Sequence, residues 1–472
     1  MKIAAMYMFV IAGLLFGGVA AIAQVQAKGG TQLWVKRYNA GDDLAQTLAL
    51  DGAGNVFVTG SEDWSGEERR ATVAYSSTGV PLWTNRFGPS LDSVGGGIAV
   101  DVSGNVFVAV VAATDTNYSN FDYATLAYSA AGVPLWTNRY GDPGGNWSVP
   151  SAIALDRSGN VFVTGWRGTV AYSNAGVPLW TNCCNSGSGV AVDSSGNVFV
   201  AGFERNSGDV ELATVAYSGS GVPLWTNNCC NSGQIAVDGS GNVIVSGSGT
   251  VAYSSTGTLL WSNCAGGVIA VDRSGKVFVT GTSATNSTAP NYNYMTVALS
   301  SAGVALWTNY YDGPAKSDDF VNAIAADRAG NVFVTGSSTR TTSPYNLDYA
   351  TVAYSNTGVP LWTNRYNGPA NGNDGAAAMA VDPTGNVIVT GYSYNPNGPS
   401  SYATIKYSSS VPPVHLDFQR LNNQLVLTWT NAGVSLQSAP AVTGTFTNVP
   451  GATSPYTNSM TSAQQYFRLA MP

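Results

Sequence analysis

The chain is poor in charge and in reactive side chains. Its 472 residues include one histidine, five cysteines and only 10% charged residues, with a net charge of −7. The single histidine, His415, lies near the C-terminus. A His-based metal cluster or a Ser-His-Asp triad in the main body is therefore excluded by inventory. No Lys/Arg run is present, so a nucleic-acid partner is not expected. Helical periodicity with capped ends is also missing beyond the first residues. Only those residues are apolar for long enough to approach a membrane span.

That first stretch reads "MKIAAMYMFVIAGLLFGGVAAIAQVQA". Lys2 precedes an apolar run that ends in Ala21-Ile22-Ala23 and Val25-Gln26-Ala27, both small-x-small. This is the layout of a signal peptide over residues 1–27, with an uncleaved anchor as the alternative. The mature chain is expected outside the cytoplasm: secreted, at the cell surface or in the periplasm, with no membrane span of its own. Disulfides can form there.

Gly, Ser, Thr, Asn and β-branched residues dominate what remains, and they recur. The phrase Asp-x-x-Gly-Asn/Lys-Val-Phe/Ile-Val occurs eight times, starting at Asp51, Asp101, Asp156, Asp193, Asp238, Asp272, Asp327 and Asp382. Seven Leu-Trp pairs follow, at Trp83, Trp136, Trp180, Trp225, Trp261, Trp307 and Trp362, spaced 36 to 55 residues apart. An eighth, at Trp34, precedes the first phrase. Repeats of this period mark solenoids and propellers. Each unit holds four short strand-like runs, as in "GIAVD", "NVFVAV", "YATLAYS" and "VPLWTNRY". Asp-x-x-Gly and Ser-x-x-Gly separate them as tight turns.

Four antiparallel strands repeated radially predict an all-β, eight-bladed β-propeller over residues 32–408. The eighth unit lacks a Leu-Trp strand and the chain starts with an orphan one. The N-terminal strand should therefore close the ring as the last blade's outer strand. The motif tryptophans are expected between blades. Pro412 and Pro413 mark a linker at 409–414. Residues 415–472 then predict a small β-sandwich-like domain, marginal in size for independent folding.

"IALDRSGNVFVTG" and "GVPLWTNRY" resemble an exported bacterial β-propeller repeat family named for seven blades, over roughly residues 32–408. The count of eight departs from that name, and the resemblance implies fold and export rather than chemistry. The tail, with "LVLTWT" and "YFRL", is similar to a C-terminal module of exported proteins from Verrucomicrobia-like bacteria. "AYSSTGTLLW" also resembles the tryptophan-docking repeat of eight-bladed quinoprotein dehydrogenases, which place an adjacent cysteine pair beside pyrroloquinoline quinone and Ca²⁺. The motif here is one residue short and no set of quinone ligands accompanies it, so no organic cofactor is expected.

With strands named A to D from the innermost outward, the A–B and C–D turns are short and constant. The B–C loops and D–A connections vary, and variable loops on a rigid frame are where binding sits. Those loops carry Tyr118, Tyr292, Tyr294, Tyr345, Tyr392 and Tyr394, which suit a polysaccharide, a peptide or a cell-surface protein. Ordinary loop composition is the alternative.

Asp43, Asp92, Asp319 and Asp374 enter strand A on neighbouring blades. A half-ring of carboxylates at the channel mouth could hold Ca²⁺. The plainer reading pairs them with Arg37, Arg86 and Arg365 as locks on the D–A connections. Cys183, Cys184, Cys229, Cys230 and Cys264 all follow Leu-Trp-Thr/Ser-Asn, on connections that lack the Arg–Asp pair. They are disulfide candidates of unassigned pairing, with one thiol left over.

A non-catalytic exported binding propeller follows as the expected function. A propeller enzyme, quinoprotein-like or polysaccharide-acting, and a purely structural surface protein are the alternatives.

Overall fold

The computed structural model describes residues 29–64, 67–88, 96–114, 120–141, 147–182, 185–206, 209–228, 233–272, 274–284, 291–343, 345–409, 416–421, 424–429, 435–441, 445–459 and 466–470. It divides into a compact unit spanning Gln32–Tyr407 and a second that includes Ser408–Pro472.

The first unit contains eight four-stranded antiparallel sheets and, among the described residues, no helix. Sheet 1 runs through Asp42–Leu50, Val56–Trp64, Glu67–Tyr75 and Pro81–Phe87, its strands A to D. Sheets 2 to 7 repeat this order at residues 97–140, 150–182, 185–228, 234–263, 268–311 and 319–366. Sheet 8 uses Asp374–Val381, Val387–Ser393 and Ser401–Tyr407, and takes its D strand from the N-terminus, Gln32–Tyr38. Each A strand packs against the A strand of the next sheet, and the eighth packs against the first.

Burial follows strand position. Every residue of Val106–Ala113, a B strand, is buried, because a middle strand has a neighbouring sheet on both faces. Phe57 and Ala74 of sheet 1 thus join Ile98, Val106, Val108 and Leu126 of sheet 2 in one core. D strands are half exposed and begin with proline at Pro81, Pro134, Pro178, Pro223 and Pro360. Proline has no N–H to offer an incoming strand, so it blunts the outer edge.

The repeated turn residues act locally. Asp51 Oδ1 accepts from the backbone N–H of Ala53 and Asn55 at 2.9 and 2.8 Å, and Oδ2 accepts from Asn55 Nδ2 at 2.7 Å. Gly54 adopts φ +78°, which a side chain resists.

The motif tryptophans fill the space between sheets. Trp83 lies 5.8 Å from Phe57 and 5.9 Å from Tyr128, ring centre to ring centre. Its indole N–H donates to Ala130 O, in the C–D turn of sheet 2, at 3.0 Å. The indoles of Trp34, Trp136, Trp180, Trp225, Trp261 and Trp307 donate in the same way to the next sheet's C–D turn. Trp362 is the exception: its buried Nε1 has no partner. It faces sheet 8, whose C and D strands come from opposite ends of the unit, so no turn carbonyl is there to receive it.

The second unit has two three-stranded sheets, one of Asp417–Leu421, Gln424–Thr428 and Tyr456–Ser459, the other of Thr447–Asn448, Ser435–Ala439 and Tyr466–Ala470. Leu425, Leu427, Trp429, Leu436, Phe467 and Leu469 form its own core.

Candidate functional site

Antiparallel order puts the A–B and C–D turns of the eight sheets at one end and the B–C hairpins and D–A connections at the other. The turn end is uniform. The loop end carries the diversity, and among the described residues the exposed aromatic rings of this unit all lie there. Tyr292 begins strand C of sheet 6 (Tyr292–Leu299) and packs at 5.9 Å against Phe320, second in strand A of sheet 7; both rings are 37% exposed. Tyr345 starts strand C of sheet 7, and Tyr394 follows strand B of sheet 8. Tyr310 is the next-to-last residue of strand D of sheet 6 (Ala305–Tyr311). Trp147, Trp166 and Phe203 stand on sheets 3 and 4. No repeated phrase singles out Trp147 or Trp166, because one lies in a Gly-rich connection and the other in a two-residue turn.

The candidate tyrosines separate into three kinds. Tyr292, Tyr345 and Tyr394 are exposed. Tyr392 is half-buried, and burial together with the charge of Asp374 raises its pKa. Tyr294 presents nothing to a ligand. It is 1% exposed, packs 5.2 Å from Tyr311 and donates to Ala350 O at 3.3 Å. Its side chain shares a face of strand C with Tyr292 but lies two residues further from the loop, where the neighbouring sheet covers it. Tyr118 lies outside the described residues.

The loop end over sheets 7 and 8 is sewn together by amides. Asn346 Nδ2 donates to the carbonyls of Asn371 and Gly372 at 2.7 and 3.1 Å. Leu347 N–H donates to Asn373 Oδ1 at 3.0 Å, and Asn367 Nδ2 to Asn371 Oδ1 at 2.6 Å. A B–C hairpin is thereby fixed to the following D–A connection.

Asp43, Asp319 and Asp374 are each fully buried. Each holds its own D–A connection through the backbone. Asp43 Oδ2 accepts from Ala40 N–H at 2.6 Å, and Asp319 Oδ2 from Gly313 N–H at 2.6 Å. Asp374 Oδ2 accepts from Gly368 N–H. The second oxygen of each has no hydrogen bond of good geometry. Burial pushes Asp43 up to about 6, helped by Glu62 directly opposite on strand B and opposed by the Ala40 and Gly41 N–H groups. Burial raises Asp319 and Asp374 as well, with the nearby Ser338 and Ser393 hydroxyls pulling back. Among the described residues no group of three or more His, Cys, Asp or Glu side chains comes close enough to hold a metal ion. Asp92 lies outside them.

The expected Arg–Asp lock takes a different form. Arg37 and Asp43 flank one connection but belong to different sheets, and Arg37 turns to its own. Its guanidinium donates to Ser393 Oγ at 2.9 Å and to the Tyr366 hydroxyl at 2.6 Å. Arg365 likewise donates to Ser338 Oγ at 2.5 Å and Tyr311 Oη at 3.2 Å. Arg86 bonds Tyr38 Oη at 2.6 Å and the fully buried Glu62 at 2.8 Å. Each arginine thus grips the tyrosine that ends the previous sheet's D strand. This Arg-to-Tyr relay ties neighbouring sheets together, and the "NRY" triplet supplies both halves.

Cys264 occupies the place of that arginine in sheet 5. It is exposed and its thiol is free. Cys183, Cys184, Cys229 and Cys230 lie outside the described residues.

A family model described as a beta-propeller repeat matches residues 306–341, from strand D of sheet 6 through strand B of sheet 7. The fold is a β-propeller. The structure of Sqt1 from Chaetomium thermophilum superposes with a TM-score of 0.51 at 9% identity, over 80% of this chain and 98% of that one. A protein of unknown function from Bacteroides caccae matches 52% of this chain and 90% of its own, with a TM-score of 0.34 and 14% identity. At these identities the likeness concerns fold alone. No curated protein sequence matches the chain. Among the described residues no helix is long and apolar enough to cross a membrane.

Proposed function

We propose that the chain is an exported, eight-bladed β-propeller that binds a glycan, peptide or cell-surface partner at its loop end, without catalysis. One observation carries this reading: the exposed aromatic rings of the propeller unit gather at the loop end, while the turn end is built from the same two polar turns repeated. A soluble chain gains nothing in stability by holding large aromatic rings in water, so their one-sided placement favours recognition. Asp43, Asp319 and Asp374, whose pKa burial raises, support a non-catalytic role. They are fully buried and hold backbone N–H groups, out of reach of a substrate. Export rests on the leader-like residues 1–27, and N-terminal sequencing of protein recovered from outside the cytoplasm tests it. The binding reading is tested by a quantitative screen of the mature chain against cell-wall polysaccharides and secreted peptides. Saturable binding that Tyr345→Ala, Tyr394→Ala or Trp166→Ala weakens is the expected result. No saturable binding to any member, or binding indifferent to every loop-end substitution, would sink it.

A further inference from the structure

We propose that Trp147 and Trp166 form a stacking platform for the hexopyranose rings of a polysaccharide. The proposal rests on the loop-end binding reading above and narrows it to one ligand class and one place, sheet 3 and the connection that enters it.

Of the tryptophans whose side chains are described, these two alone are exposed, at 45% and 56%. The others lie between sheets or in the core of the second unit. Neither belongs to the row of inter-sheet indoles that the repeat builds, and each keeps about half of its surface in water.

The backbone beneath both is tied down. Trp166 tips a two-residue turn between the paired Gly165 and Gly168. Its N–H donates to Val149 O at 3.0 Å, and its carbonyl accepts from Ser186 Oγ at 2.7 Å. Arg167 N–H donates to Tyr123 Oη at 3.1 Å, and Arg167 O accepts from Tyr140 Oη at 3.2 Å. Trp147 packs edge-on against the buried Phe121 at 5.0 Å and 80°. Arg167 Nε reaches its carbonyl at 3.4 Å, which joins the two segments. A ligand stacking here meets a backbone that is already ordered.

The chemistry selects a sugar over a peptide. A pyranose ring has an apolar C–H face that lies flat on an indole and hydroxyls that stay in water. A peptide needs a groove with pockets or a free strand edge. This turn is a projecting tip, and the backbone groups of Trp166 and Arg167 that would serve as an edge are already bonded.

Titration of the full mature chain with soluble β-1,3- and β-1,4-glucans and pull-down on insoluble chitin test the proposal. Trp147→Ala/Trp166→Ala should weaken binding at least about tenfold and abolish the ligand-induced tryptophan fluorescence change, with the β-sheet circular dichroism of the wild type retained. Trp166→Phe should retain most of the affinity. Undiminished glycan binding by the double variant would overturn the platform, while loss in Tyr345→Ala/Tyr394→Ala would then leave the loop-end reading standing. Binding of peptides alone also overturns it. Binding of nothing on either panel overturns both.

Discussion

Lys406 and Asp382 form a buried ion pair, 2.7 Å between Nζ and Oδ2, with side chains 5% and 3% exposed. Lys406 Nζ also donates to Ser77 O of sheet 1 at 2.9 Å. The pair therefore sits where sheet 8, assembled from both ends of the unit, meets sheet 1. Equivalent positions in other C strands hold alanine, as at Ala74 and Ala353. Removing one partner leaves the other charge buried and unpaired, which costs about 3–5 kcal/mol. Lys406→Met should lower stability by that order in a denaturant titration. Lys406→Met/Asp382→Asn should recover much of it, and equal loss in both variants would refute the pairing argument.

Two acids should respond to pH in opposite senses. Burial works against ionised Asp382, yet Lys406, Thr384 and Asn386 hold it down at about 2. Its stabilisation is complete above the ordinary value of 3.8 and is lost as pH falls towards 2. Asp43, raised to about 6, favours its protonated form in the folded state. Its contribution is full below 3.8 and declines as pH rises to 6. Asp43→Asn should flatten the stability profile between these two values, measured by urea midpoint, and leave the acid limb unchanged. A steeper profile in the variant would contradict this.

Gly132 and Gly196 separate two demands made of the turn glycines. Both have positive φ, +78° and +84°. A Cβ on Gly132 would fall 2.5 Å from Trp83 Cγ, whereas one on Gly196 would meet nothing within 4 Å. Gly196→Ala should cost about 1–2 kcal/mol from backbone strain alone. Gly132→Ala should cost appreciably more and shift Trp83 fluorescence, since the indole must move. Equal losses would show that the tryptophan contact is soft.

Tyr38→Phe removes the hydroxyl that accepts from Arg86 and donates to buried Glu62 at 3.2 Å. A double-mutant cycle with Arg86→Gln should show a coupling of about 1 kcal/mol. The chain contains its own control. Phe87 stands where the D strands of sheets 2, 6, 7 and 8 carry tyrosine, and Arg139 of the next sheet turns instead to Ala113 O at 3.1 Å. Phe87→Tyr should therefore create a relay contact and raise the unfolding midpoint slightly.

Much of this architecture was legible in the sequence, because repeats and turns are local. Asp-x-x-Gly dictates a hairpin wherever it occurs, and alternating β-branched residues dictate strands. The orphan Leu-Trp at the start pointed to the outer strand that pairs with Ser401–Tyr407. Side-chain destinations were decided only by the tertiary structure. Arg37 and Asp43 are close in the chain but belong to different sheets, so the arginine bonds Tyr366 instead. Tyr292 and Tyr294 look alike in "NYNY" and share one face of their strand, yet Tyr292 stands at its exposed start and Tyr294, two residues further in, lies between the sheets. Trp147 and Trp166 belong to no repeated phrase. What made them neighbours is the antiparallel return of sheet 3, which lays a hairpin tip against the connection that precedes it.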